Sequence, residues 1–149
     1  MNFDLKIFSK EIKYSLVSIM FVIFQACRDN AFNPNDSYGN VNEPVVISSY
    51  NSFVFQLNGK NISRYIVEKI NFSRIENQIS ITVRNYLKGV VSISVTNKDN
   101  SLKLFSTDFD KSTLNYDQIV KGDIPDRVII SFTNFSGFFK MNFYAINPY

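Results

Sequence analysis

The fold is decided by residues 79–96, Ile79-Ser80-Ile81-Thr82-Val83-Arg84-Asn85-Tyr86-Leu87-Lys88-Gly89-Val90-Val91-Ser92-Ile93-Ser94-Val95-Thr96. At its start, Ile79, Ile81 and Val83 alternate with Ser80, Thr82 and Arg84. At its end, Val91, Ile93 and Val95 alternate with Ser92, Ser94 and Thr96. Successive strand side chains point to opposite faces, so each run carries one apolar and one polar face. Two half-buried strands are expected, over 79–84 and 91–96.

The same period extends outward. Val128, Ile130 and Phe132 alternate with Ser131 and Thr133, and Phe139, Met141, Phe143 and Ala145 with Lys140, Asn142 and Tyr144. Further strands are expected over 45–50, 53–57, 62–67, 69–75 and 102–106. Asn58-Gly59 between apolar runs is a hairpin signal, because both residues tolerate positive φ. Asn97–Asn100 and Asn134–Gly137 mark two more turns, and Pro125 closes a loop where a missing N–H costs nothing. After Cys27 only 112–120 hints at a helical turn. Eight or so short strands over 45–149 predict an all-β chain folded as an antiparallel β-sandwich, with an immunoglobulin-like arrangement as one form of it. A small β-barrel or jelly roll is the alternative.

Composition narrows the chemistry. The chain has 149 residues, 45% hydrophobic and 19% charged, enough for one domain with a real core. Sixteen basic against thirteen acidic residues leave a net charge of +3, too little to argue for a nucleic-acid partner. The absence of His removes His-based triads and most catalytic zinc sites. One Cys can form no internal disulfide.

Residues 1–26 differ from the rest. Lys6, Lys10 and Lys13 precede an uncharged run of 14 residues, Tyr14 to Cys27, closed by Arg28 and Asp29. As a helix that run would reach about 21 Å, short of a hydrocarbon core of about 30 Å. A basic start and a short apolar centre is the layout of a secretory signal peptide. The segment Phe24-Gln25-Ala26-Cys27 resembles the lipobox of bacterial lipoproteins, in the looser form familiar from Bacteroidota-like bacteria. The resemblance implies a diacylglycerol thioether on the Cys27 sulfur, cleavage before Cys27 and acylation of the new amino terminus. It would make residues 1–26 a lipoprotein signal peptide and fix the chain to a membrane of the cell envelope, the outer membrane favoured over the inner. Stable anchoring takes more than one acyl chain, each buried CH₂ contributing about 0.8 kcal/mol. The other readings of Cys27 are an uncleaved anchor or a small buried side chain. Residues 27–44, rich in Asn, Asp, Pro, Gly and Ser, read as a flexible tether with a reach of about 20–25 Å.

Candidate chemistry is sparse. Asp108, Asp110, Asp117, Asp123 and Asp126 form the densest carboxylate group, and Asp108, Asp110 and Asp117 are weak candidates for a calcium site. Lys111, Lys121 and Arg127 stand among them as competing partners, and the bland reading is a solvated loop. A carboxylate-dependent hydrolase would need two of these Asp side chains across a cleft. No G-x-S-x-G, G-x-G-x-x-G or P-loop occurs, so no catalytic residues, cofactor or enzyme activity are expected. Tyr50, Tyr65, Tyr86, Tyr116 and Tyr144 are candidates for an exposed face that could stack on sugars, while most Phe residues fall on core parity. Phe138-Phe139 and 146–149 are candidates for an edge strand that pairs with a partner. The expected role is that of a lipid-anchored, non-catalytic interaction module whose partner is another envelope protein or a polysaccharide. A carbohydrate- or calcium-binding module is the alternative.

Overall fold

A computed structural model describes residues 39–146; the expected signal peptide, Cys27 and the expected tether up to residue 38 lie outside the described residues, as do 147–149. Six strands follow one another without a helix among the described residues: β1 (Val45–Ser49), β2 (Ser52–Lys69), β3 (Asn77–Asn97), β4 (Lys103–Phe109), β5 (Thr113–Val120) and β6 (Pro125–Ala145). They form one open antiparallel sheet in the order β1-β2-β6-β3-β4, with β5 also pairing with β3. The chain is all-β, and its sheet bends over on itself as a sandwich. The sheet does not close, so it is not a barrel.

The short strands expected from periodicity merge. β2, β3 and β6 run for 18, 21 and 21 residues. Asn58-Gly59 and Asn134–Gly137, expected as turns, lie inside β2 and β6, and the quoted stretch 79–96 lies within β3 alone. Residues that tolerate positive φ serve a bulge as readily as a hairpin. Asn61 (φ 51°) and Asn134 (φ 49°) stand at register irregularities in the β2–β6 pairing, and Asn85 (φ 50°) at one between β3 and β6. All positive-φ residues other than Gly in the described chain are Asn, the side chain that tolerates the left-handed region best.

The bulges also switch parity. Inward residues of β2 are Phe53, Phe55 and Leu57, then Ile62 and Ile66; those of β6 are Val128, Ile130 and Phe132, then Phe135, Phe139, Met141 and Phe143. An extra residue at the corner flips the face, so the apolar side stays inside after the strand turns over. The first layer holds β1, β5 and the halves of β2, β3 and β6 around 52–59, 77–84 and 137–145. The second holds β4 and the halves around 62–69, 90–97 and 127–133. An immunoglobulin-like sandwich builds its two sheets from different strands; here three strands belong to both layers.

One aromatic core joins the layers. Phe132 lies 6.1 Å from Phe55 and 5.6 Å from Phe139 between ring centroids, and Tyr116 of β5 sits edge-on to Phe109 of β4 at 5.2 Å. At the corner the backbones crowd: a Cβ on Gly89 (φ 90°) would fall 2.5 Å from the Asn134 carbonyl carbon, and one on Gly59 2.7 Å from the Phe135 ring. Only a residue without a side chain lets the strands cross there.

Other expectations need correction. Residues 113–120 form β5, in place of the helical turn expected over 112–120; a register irregularity beside Asn115 (φ 56°) breaks its alternation and imitates helical spacing. Residues 69–75 are mostly loop. Their alternation of Ile70 and Phe72 reflects anchoring: the Ile70 N–H donates to the Asp126 carbonyl at 2.8 Å, and Phe72 stacks on Phe143 at 4.7 Å. Phe138 and Phe139 belong to β6, which runs between β2 and β3, so they form no edge strand. The end of the expected tether is already fastened to the sheet. Asn42 pairs with Lys60 twice, accepting from its N–H at 2.7 Å and donating to its carbonyl at 3.1 Å.

Candidate functional site

The carboxylates do not converge. Asp117 pairs across the ladder with Ser80, whose neighbours Ile79 and Ile81 face the core, and it accepts the Ser80 hydroxyl on the outer side of the first layer. Asp108 pairs with Ser92, between the inward Val91 and Ile93, and so lies on the outer side of the second layer. Asp110 lies just past the end of β4. The D-x-D spacing of Asp108 and Asp110 therefore recruits no third ligand from Asp117. No metal-holding group of three such side chains occurs among the described residues.

The tyrosines divide likewise. Tyr86 tilts against Phe135 and donates its hydroxyl to the Gly89 carbonyl at 2.8 Å. Tyr116 packs between Phe105 and Phe109. Tyr50 donates to the Ser73 hydroxyl at 2.9 Å at the β1–β2 turn. Tyr144 pairs with Gln78 on the outer side of the first layer, and Tyr65 pairs with Ser131 on that of the second. The five expected candidates thus share no face, and Tyr65 alone stands on the second layer's open side.

Two grooves remain. The larger, about 800 Å³, lies at the end of the body where the β3–β4 and β5–β6 loops meet. Buried Asn97 ties those loops together. It accepts from the Leu102 N–H at 3.1 Å and donates to the Ser101 hydroxyl at 3.2 Å and to Asp123 at 3.0 Å. That amide, and the Ile124 N–H at 2.7 Å, hold the Asp123 carboxyl below the ordinary carboxylate range. Every polar group of this network is used in joining loops, so it reads as a structural staple.

The smaller groove, about 500 Å³, lies on the outer face of the second layer and crosses all four of its strands, among them Tyr65, Ser131, Ser92, Ser94, Thr96 and Lys103. The register sets its rows: Tyr65 beside Ser131 beside Ser92, then Ile129 beside Ser94 beside Ser106. Lys103 is the one charged side chain lining it. The alternation around Val91–Thr96 and Val128–Thr133 defines this face as the polar side. The signal that marks it out is that this polar parity is nearly all hydroxyl, where the first run carries Arg84.

No protein-family model matches the chain, and no curated protein matches it.

Proposed function

We propose that this chain is a lipid-anchored protein of the cell envelope whose β-sandwich is a non-catalytic interaction module. The anchor is the Cys27 thiol, delivered by an apolar run too short to cross a bilayer. The module presents the outer face of the second layer. The observation that supports a docking role is the make-up of the groove on that face: four strands wide, open, lined mostly by hydroxyls with Lys103 as its one charge, while Asp108 stands beside Ser92 outside it. Hydroxyls both donate and accept, so such a face accommodates a partner without demanding a fixed charge pattern. The partner is another envelope protein or a polysaccharide. Calcium binding draws no support from the separated Asp108, Asp110 and Asp117.

Metabolic labelling with an alkyne fatty acid tests the anchor. The full chain becomes labelled and partitions with membranes, and Cys27→Ser loses both properties. Label persisting in Cys27→Ser refutes the reading.

A further inference from the structure

We infer that the outer face of the second layer is a saccharide-binding site, taking an oligosaccharide laid across β2, β6, β3 and β4; this rests on the interaction-module reading above. Three observations converge on it. The first is what its hydroxyls do. Ser63, Ser73, Ser80 and Ser136 elsewhere in the described chain, and Ser101 at the end of this groove, are each held in a side-chain hydrogen bond. Ser92, Ser94, Ser106 and Ser131 make none within the protein. With strands about 4.8 Å apart and same-face residues about 6.7 Å apart along a strand, they form a grid of groups that donate and accept. A polyol is the ligand class that offers the same dual chemistry in return.

The second observation is Thr96. Its residue is only 6% exposed, it lines this same groove, and its hydroxyl oxygen is buried without a hydrogen-bond partner. A buried polar atom left unpaired is costly, and a turn of the Thr96 side chain that brought its hydroxyl to a ligand hydroxyl in the groove would relieve that cost. The third is Tyr65, 66% exposed at the rim of the same rows. An aromatic ring offers its face to the apolar face of a sugar ring, while the serines address the hydroxyls. Protein partners would favour a more apolar patch centre than this face provides. The groove's volume falls in the ordinary range of small-ligand sites, about 300–1,000 Å³.

The test titrates the full chain, purified in detergent, with hexasaccharides of glucose, of mannose and of galacturonate. At least one binds, and Tyr65→Ala and the double variant Ser94→Val/Ser131→Val each weaken it by about tenfold or more at unchanged melting temperature. Thr82→Val, on the other outer face, leaves binding as it was. Ser131→Ala, which removes only the hydroxyl, replaces the double variant if valine lowers the melting temperature. A preference for galacturonate that Lys103→Gln abolishes assigns an acidic sugar; equal binding of all three assigns a neutral polyol surface. The inference is overturned if none of the hexasaccharides binds, or if the Tyr65 and serine variants bind like the parent. An envelope protein crosslinked from Ser94, with no hexasaccharide bound, overturns the saccharide assignment and leaves the interaction-module reading standing.

Discussion

At the corner of the sandwich, Ser63 accepts the Asn134 N–H at 2.9 Å and donates to the Asn134 side chain at 3.2 Å, while Ser136 accepts the Asn61 N–H at 2.8 Å. On the outer face of the second layer, Ser92, Ser94, Ser106 and Ser131 have no such bonds within the protein. Both regions are built from β2, β3 and β6 and from the same small polar residues. At the corner these residues satisfy backbone groups that the bulges release from the ladder. At Ser92, Ser94, Ser106 and Ser131 the ladder is intact, nothing in the backbone needs them, and their hydroxyls make no bond within the protein. Small polar residues thus hold the fold at the corner where the sheet is interrupted, and on this face they stay unbonded within the protein.

Substitutions can break this contrast, the largest effects being expected at the corner. Phe135, fully buried beneath Gly59 and 5.5 Å from Phe132, loses about 3–5 kcal/mol on Phe135→Ala, read by urea unfolding. Gly89→Ala forces a Cβ onto the Asn134 backbone at positive φ and costs about 1–3 kcal/mol. Asn134→Ala, which loses the Ser63 bond and a favoured left-handed residue, costs about 1–2 kcal/mol. The face responds otherwise: Ser92→Val and Ser94→Val change stability by about 0.5 kcal/mol or less in either direction. A loss at Ser94 as large as that at Asn134 would erase the distinction. The smallest effect is confined to acid. Asp123 titrates below its ordinary value of 3.8, chiefly because Asn97 donates to its charged form. Its contribution is therefore fully present above pH 3.8 and is lost as pH falls through the lowered value. Asp123→Asn flattens that acid limb of the melting-temperature profile and leaves neutral pH nearly unchanged.

Much of this was legible in the sequence. The alternation of Ile79–Arg84, Val91–Thr96 and Val128–Thr133 carried the all-β class and the identity of the core, because burial on one face imposes period two. Continuity through the corner was not. Asn58-Gly59 and Asn134–Gly137 have the chemistry of turns, and the residue types that reverse a chain also bulge it. The usable signal was the switch of inward parity, from Phe53, Phe55 and Leu57 to Ile62 and Ile66, and from Phe132 to Phe135. Two separate strands have no reason to keep such a register across a short break. The candidate face was visible as the polar parity of the strands, yet alternation alone cannot tell a solvated face from a docking one. Which hydroxyls are spent on the backbone depends on partners such as Ser63 and Asn134, which stand 71 residues apart. The spread of Asp108 and Asp117 over opposite faces was hidden for the same reason: β4 and β5 follow each other closely in sequence but join different layers.

The most direct measurement places a photoreactive diazirine residue at Ser94, on the second layer's outer face, or at Thr82, on the first layer's, in cells producing the full chain. Irradiation captures envelope material from Ser94 and not from Thr82 if the second layer presents the docking face. Capture from Thr82 alone, or equally from both positions, contradicts the account.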